Sequence, residues 1–513
     1  MSESWLLPTL LVLPLAGAMT LLVAGRRADA WATGLGVVVQ SLGLLVTVLA
    51  VAHFSIADAG SVQLAVHWTW IPELGVGFQL GVDGISMPLV VLTSLLGWCG
   101  AVYSIRHVPE PGHPRAFVGL LLLLQVGMVG TFVALDLIAF FIFFEVVLIP
   151  MWFVIAFWGT GRRRKSANTF IIYTVLGSIV MLLGFLLVIV DTGSSDMVHL
   201  AAGLGGEMSP SMQLAAALLI LTGLAVKTPM WPLHTWLPDA HTAAPTVGSV
   251  LLAGVLLKMG TYGMVRIVLP VLPDAALQLS PYLAAFAVIG IIYGAMASYG
   301  QSDLKRVIAF SSVGHMGFVL LGISTLSVVG VNAALFGNIA HGIITGLLFF
   351  VVGGIKSRAG TTSFSMLSRG WYAAAPRLGF LLGFAAVASL GMPGLAGFWG
   401  EFLALVGAYH PLDASDRMYF RLLLVVAAVG MALAAAYFLR VLRRVGQGTA
   451  APRRRVVDVT PREWLAWTPL VLLTVVLGLL PAVLLSMTEP AVRDVVEAVA
   501  GAAGSAGSGG IQP

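Results

Sequence analysis

The chain has 513 residues, of which 59% are hydrophobic and only 10% are Asp, Glu, Lys or Arg. Soluble domains carry about 25% charged residues, so this composition excludes that class and predicts a protein that crosses a membrane many times. The single cysteine, Cys99, excludes a disulfide and a cysteine-ligated iron–sulfur cluster within this chain.

Fourteen apolar stretches predict membrane-spanning helices, since about 20 apolar residues cross a bilayer as a helix. They lie at about 5–24, 31–54, 84–105, 116–134, 137–158, 168–190, 212–227, 243–268, 281–299, 304–325, 331–355, 377–409, 421–442 and 464–486. The expected fold class is an all-α polytopic membrane protein with about 14 transmembrane helices.

The basic residues indicate the orientation. With these spans, 21 of the 27 lysines and arginines lie in loops on one side. The positive-inside rule then predicts that both termini face outward, away from the cytoplasm. The net charge of +5 reflects this topology and does not indicate nucleic-acid binding.

An outward loop separates the second and third spans. Residues 62–80, VQLAVHWTWIPELGVGFQL, alternate in polarity on both sides of a Pro and a Gly, which predicts a short β-hairpin. Asp83 follows it, and we interpret this residue as a helix cap or loop charge.

The fifth span contains Glu145 in the sequence FFIFFEVVLIPMW. A carboxylate in such apolar surroundings must be protonated or find a cation. A structural ion pair that fixes helix packing is the alternative to a functional role.

Two lysines, Lys227 and Lys258, lie inside apolar runs. Placing a lysine at the bilayer centre costs roughly 2.5–3.5 kcal/mol on insertion scales. A desolvated lysine can load and unload a proton, whereas arginine stays charged. Only five of the 27 basic residues are lysines, so keeping two of them in the membrane interior indicates proton transfer. Pro229 and Pro232 predict a broken helix just after Lys227.

Four histidines accompany these lysines. His234 and His241, seven residues apart, permit a metal or haem site, but Pro238 disfavours a continuous helix there. A proton relay through His234 between the two lysines is the favoured interpretation, because imidazole titrates near neutral pH. His315 and His341 each lie in the middle of a span, where a core histidine and a relay are both open.

The twelfth predicted span is interrupted by GMPGLAGFWGEFL. Pro393 and Gly394 predict the break, and Glu401 follows within the resumed apolar run. A simple carboxylate at a helix start is the alternative reading of Glu401.

The two breaks, at Pro229 and Pro393, are 164 positions apart, which predicts that spans four to eight recur, inverted, as spans nine to thirteen. The expected organisation is an N-terminal three-helix segment with the hairpin, two five-helix repeats each with a broken helix, and a last transmembrane helix with a flexible tail. Their bounds are 1–115, 116–270, 271–445 and 446–513.

Three strings carry a resemblance to a known family: HTWLPDAHTAAPTVGSVLLAGVLLKMGTYG, SDLKRVIAFSSVGHMG and GMPGLAGFWGEF. They resemble the antiporter-like membrane subunits of bacterial NADH:quinone oxidoreductase (respiratory complex I), most closely the M chains. The likeness covers most of spans four to thirteen. The sister L and N chains, and the large sodium/proton antiporter chains, typically carry lysine where this chain has Glu401.

The resemblance implies a hydrophilic row at mid-membrane. Glu145 would pair with Lys227, Lys258 would lie centrally, and Glu401 would end the row toward the next subunit, with water and the histidines 234, 315 and 341 as bridges. The implied activity is proton translocation driven by electron transfer in partner subunits, which would carry FMN, iron–sulfur clusters and quinone. The implied partners are neighbouring antiporter-like and other membrane-arm subunits, held in part by the hairpin.

Two other classes remain open from the residues alone. A multisubunit cation/proton antiporter or a membrane-bound hydrogenase would use the same row. A passive scaffold, or a haem-binding subunit ligated by His315 and His341, belongs to a different class.

Overall fold

The computed structural model describes residues 5–71, 76–367, 370–448 and 456–508. The tip of the expected hairpin, residues 72–75, and four of the basic residues used for the orientation, Arg369 and Arg453 to Arg455, lie outside the described residues.

The first part of the chain contains four helices and the single two-stranded sheet found among the described residues. The elements are α1 (Leu6–Val23), α2 (Ala32–His53), β1 (Gln63–Ile71), β2 (Val76–Val82), α3 (Met87–Ser104) and α4 (Pro114–Val133). β1 and β2 pair antiparallel, with Val66 opposite Leu80, and form the expected hairpin.

The middle part contains two interrupted spans. The elements are α5 (Leu137–Val146), α6 (Leu148–Trp158), α7 (Arg163–Thr192), α8 (Met197–Ala201), α9 (Pro210–Lys227), α10 (Trp236–Ala243), α11 (Thr246–Leu251), α12 (Leu257–Gly263) and α13 (Leu269–Val271). Pro150 separates α5 from α6, because it has no N–H to donate to the carbonyl of Val146. Two π-helical turns, Leu252–Leu256 and Met264–Val268, flank α12.

The last part contains the longest described helix, Val328–Ala359, with 32 residues. The elements are α14 (Pro273–Gly300), α15 (Leu304–Ser324), α16 (Val328–Ala359), α17 (Trp371–Ala374), α18 (Pro376–Ser389), α19 (Ala396–Tyr409), α20 (Arg417–Val441), α21 (Pro461–Leu479) and α22 (Ala482–Ser508).

In the part of the chain that the structure describes, thirteen helices are long and apolar enough to span a membrane. The remaining expected span, at about 377–409, is divided into α18 and α19. Gly391 and Gly394 between them have φ values of +71° and +90°, a conformation that glycine adopts without a Cβ clash. The all-α polytopic fold class is confirmed, and the inverted repeat stays a prediction.

Beyond the last expected span, the chain continues as a further helix that the sequence did not predict, and the flexible tail at the end of the chain stays a prediction. α22 is helical from Ala482 to Ser508. Its apolar residues recur at helical spacing, so they form one stripe that packs against α14 and α16. The buried members of the stripe are Ala491, Val492, Val495, Val496 and Val499.

The centre of the molecule is formed by α15, α16 and the helical segment 246–271, which are buried along nearly their whole length. α1, α2 and α20 lie at the periphery and present large exposed apolar side chains, as lipid-facing helices do. The central helices carry Lys258, His315 and His341, so these three polar residues lie where the surroundings are most apolar.

Candidate functional site

Lys258 lies at the centre of the site, on α12, directly after the π-helical turn Leu252–Leu256. Such turns are frequent at functional sites, because they leave backbone groups available. The Lys258 ammonium donates to the Ala253 carbonyl at 2.6 Å and contacts His341 Nδ1 at 2.5 Å. Lys258 has no exposed surface, so these contacts replace its hydration.

A continuous row of polar side chains runs from Lys258 to Glu401. The rings of His341 on α16 and His315 on α15 have centroids 5.6 Å apart. His315 Nδ1 lies 2.8 Å from Glu401 Oε1, and His315 Nε2 lies 2.9 Å from the Ser389 hydroxyl. Ser389 ends α18 and Glu401 lies on α19, so the interrupted span supplies both partners of His315.

A small cavity of about 30 Å³ accompanies this row. His315, His341, Ser389 and Glu401 are among the residues that line it. One water molecule needs about 10–15 Å³ and two to four polar partners, and this cavity has both the volume and the polar side chains. A water molecule can therefore bridge the gap between the imidazole rings of His341 and His315.

At the other end, Lys227 is the last residue of α9 and is buried. Its ammonium lies 4.5 Å from the centroid of the Phe144 ring, within cation–π range. Glu145, next to Phe144 on α5, is close enough to interact electrostatically with Lys227. Glu145 Oε1 and Lys227 Nζ make no direct hydrogen bond to any described residue.

Several further buried polar atoms also lack a hydrogen-bond partner among the described residues. They are Thr228 Oγ1, both ring nitrogens of His234 and, beyond Lys258, His341 Nε2. Buried polar atoms in folded proteins are nearly always bonded to protein or to ordered water, so water is the natural partner for these atoms. Between Lys227 and Lys258 these groups make no direct hydrogen bond to any described residue, whereas direct contacts join Lys258 to His341 and His315 to Glu401.

His234 makes its ring contacts with side chains other than Lys258. Its ring packs edge-on against Tyr293, with centroids 4.8 Å apart, and the residue in contact with Lys258 is His341. His241 stacks on Phe349 at 4.7 Å. No three His, Cys, Asp or Glu side chains are grouped as a metal site in the described part of the chain. A relay through His234 stays a prediction.

Two further basic residues, His241 and Lys305, are buried in the interior. His241 is fully buried and interacts electrostatically with both Lys258 and Lys305. Lys305, in the first turn of α15, was not expected to be buried, but it is 4% exposed and its ammonium donates to the Ala244 carbonyl. One signal was available: a lysine in the first turn of α15 opposes the helix dipole, so it needs a partner elsewhere.

Asp83 caps the turn before α3, as its position suggested, by accepting hydrogen bonds from the backbone of Ile85 and Ser86. The same oxygen lies 2.5 Å from Arg266 Nη2. Arg266 Nε also donates to the hydroxyl of Tyr262, one turn from Lys258 on α12. This ion pair ties the hairpin region to the helix that carries Lys258.

The family model described as "NADH:quinone oxidoreductase/Mrp antiporter, TM" matches residues 134–436. NADH-quinone oxidoreductase subunit M of Rhodobacter capsulatus is 36% identical to this chain, and the alignment covers 96% of both proteins. The chain belongs to this family. The family region contains every residue of the row, from Glu145 to Glu401.

Two further family members agree with this assignment. NAD(P)H-quinone oxidoreductase chain 4 1 of Synechococcus sp. (strain JA-2-3B'a(2-13)) is 38% identical, over 89% of this chain and 86% of the relative. A chain of respiratory complex I from Thermus thermophilus with bound NADH superposes with a TM-score of 0.85 at 27% identity, over 96% of this chain and 99% of that one. The structural match extends over nearly the whole length of both family members.

Proposed function

We propose that this chain is a membrane-arm subunit of an NADH:quinone oxidoreductase and that it translocates protons along the buried row. The observation that carries the proposal is the contiguous arrangement of Lys258, His341, His315 and Glu401. Four titratable groups from four helices meet in an apolar interior, where each unpaired charge is costly. A purely structural ion pair would need only two of them.

The chemistry of the row suits proton transfer because each group can hold or release one proton. The Lys258 ammonium gives its proton to His341 Nδ1, and His341 releases a proton from Nε2 toward the cavity. His315 accepts a proton at Nε2, which faces Ser389, and delivers one from Nδ1 to Glu401 Oε1. Each imidazole thus takes a proton at one nitrogen and loses one at the other.

Glu145 and Lys227 act as the variable charge pair at the start of the row. A carboxylate within about 4–6 Å favours the charged lysine by roughly 1.4–4 kcal/mol. When the pair weakens, the neutral lysine becomes accessible and its proton passes to Lys258. The unpartnered polar atoms around Thr228 and His234 support a water-filled path for this step.

The energy source lies outside this chain. The relatives' names place them in quinone oxidoreductases, and the proposed partners are neighbouring antiporter-like and other membrane-arm subunits. FMN, iron–sulfur clusters and quinone belong to those partners. Chains of the antiporter branch named in the family description would use the same row, and the two relatives described above favour the oxidoreductase.

Both termini are proposed to lie outside the cytoplasm, on the basis of the loop charges. Cys99 is fully buried, so a single added cysteine reports on its own side of the membrane. In intact cells, an impermeant maleimide should label Ser211→Cys, at the exposed start of α9, and should not label Thr160→Cys. The reverse pattern contradicts the orientation.

The decisive experiment is Lys258→Met in the assembled complex, with NADH-driven proton uptake measured in reconstituted vesicles. We expect uptake to fall at least about tenfold, since the loss of 1.4 kcal/mol of transition-state stabilisation already has that effect. Lys165→Met is the matched control, because Lys165 is an exposed lysine in the first turn of α7. A correctly assembled Lys258→Met complex that pumps at the rate of the control would overturn the proposal.

A further inference from the structure

A cavity of about 490 Å³ lies between α1, α4 and α6, and none of the residues of the proton row lines it. Apolar side chains form its walls, among them Met19, Leu22, Leu123 and Phe153. Met19, Leu22 and Phe153 are 49%, 68% and 37% exposed, so the cavity opens on the lipid-facing surface of this chain. An apolar recess at membrane depth is filled by hydrocarbon and not by water.

One end of this cavity is basic. Arg115 and His113, at the start of α4, line it together with Trp158. The indole of Trp158 donates to the Gly112 carbonyl at 2.6 Å, the interfacial arrangement expected where a membrane meets water. Arg115 Nε is buried and makes no hydrogen bond to any described residue, so the guanidinium has a donor to offer.

The charges around this end favour an anion. Asp29 is one nearby carboxylate: its Oδ1 accepts the Arg115 backbone N–H at 3.1 Å, and its Oδ2 lies 3.9 Å from Arg115 Nε. The exposed Glu110, which precedes the wall residue Pro111, is a second. Against these two carboxylates stand four arginines: Arg115, Arg163, and the exposed Arg26 and Arg27 in the turn Gly25–Ala30 that packs on α4. Arg163 Nη1 donates to the carbonyl of Phe157, which is itself a wall residue.

The size of the cavity selects between a lipid and a protein helix. A helix with its side chains is about 10–12 Å across and could not enter, whereas small-molecule sites occupy about 300–1,000 Å³. A long apolar chain with an anionic head matches both the apolar walls and the basic end. The basic end also lies on the side where most of the arginines are found, which is the leaflet rich in anionic lipid.

We propose that this groove binds an anionic phospholipid, with an acyl chain between α1, α4 and α6 and the phosphate at Arg115 and His113. The site is independent of the proton row. A lipid held there fills the space between α1 and the α4–α6 pair, and so joins the N-terminal helices to the family region that begins at residue 134.

The test uses the assembled complex in nanodiscs that contain a trace of phospholipid with a photoactivatable acyl chain. The two probes are phosphatidylglycerol and phosphatidylcholine, and labelled peptides are identified by mass spectrometry. Phosphatidylglycerol should label the α1 and α6 wall peptides about fivefold more than phosphatidylcholine, the ratio that one basic residue near a membrane surface provides.

Two substitutions probe the two halves of the site. Gly119 lines the cavity and an added Cβ there meets open space, so Gly119→Leu fills the groove without a backbone clash. Gly43→Leu on α2 is its control, since Gly43 has the same open surroundings but does not line the cavity. Arg115→Gln removes the charge, and the exposed Arg164→Gln is its control.

Gly119→Leu and Arg115→Gln should reduce phosphatidylglycerol labelling to the phosphatidylcholine level, and both controls should leave it unchanged. The proposal is overturned if the two probes label the wild-type walls equally, which means unselective lipid contact. It is also overturned if Gly119→Leu labels like the wild type, or if the walls remain unlabelled because a neighbouring subunit covers them. The comparison of the two probes in the wild type does not depend on how any variant folds.

Discussion

His341 is the position where the proton row is most sensitive to a single substitution. Its Nδ1 is 2.5 Å from the Lys258 ammonium, and its ring is 5.6 Å from that of His315. His341→Gln keeps a polar group that bonds to Lys258 but cannot carry a proton. His341→Leu removes both the hydrogen bond to Lys258 and the proton transfer. Comparing the two variants therefore separates the loss of proton transfer from the loss of the hydrogen bond.

The expected loss of pumping rate follows from the contact between Lys258 and His341. A hydrogen bond to a charged group contributes about 1.5–3 kcal/mol, and each 1.36 kcal/mol in a barrier changes a rate tenfold. If the transfer from Lys258 to His341 limits pumping, its loss slows proton translocation by roughly 10- to 150-fold. Lys258 keeps its bond to the Ala253 carbonyl in both variants, so the fold should persist.

The assay is NADH-driven proton uptake by the reconstituted complex, with quinone reduction measured in the same sample. Both variants should lose uptake, and the exposed histidine variant His199→Gln should retain it. The amount of assembled complex, read from a native gel, separates failed assembly from failed transfer. Wild-type uptake by an assembled His341→Gln complex would refute the reasoning, because an amide cannot bind and release the proton.

Two further predictions concern stability. Arg358→Leu leaves the carboxylate of Glu463 buried without its two bonds of 2.9 and 2.7 Å, which should cost about 3–5 kcal/mol and lower the temperature at which the complex unfolds. The exposed pair broken by Arg493→Leu should cost under about 1 kcal/mol, and equal shifts for the two variants would contradict this account. Gly260→Val places a Cβ 2.2 Å from a neighbouring hydroxyl, so the amount of assembled complex in membranes should fall. Gly43→Val, with no atom within 4 Å of the added Cβ, is the control that should assemble normally.

The spans and the two lysines were predictable because membrane insertion depends on local composition. An apolar run is recognised without knowing its neighbours, and a lysine inside it is costly wherever the helix packs. The hairpin was likewise a local pattern. The helix α22 was not predicted, because its apolar residues form a stripe that packs against α14 and α16 and are separated by polar residues, so they make no continuous apolar run.

The contacts within the site were not predictable from a single sequence. Lys258 and His341 are 83 positions apart, and His315 and Glu401 are 86 apart, so only the packing of the helices decides which of them meet. His234 was placed between the lysines on the basis of its neighbourhood in the chain. The structure places His341 against Lys258, because α16 crosses the centre of the molecule next to the π-helical turn.

The interruption between α18 and α19 has a mechanical consequence. Ser389, just before it, and Glu401, just after it, hold the two nitrogens of the same imidazole. A change in the angle between these two half-helices would therefore stretch both bonds of His315 at once. The angle between α18 and α19 therefore determines whether the His315 ring is held by both partners or is free to rotate.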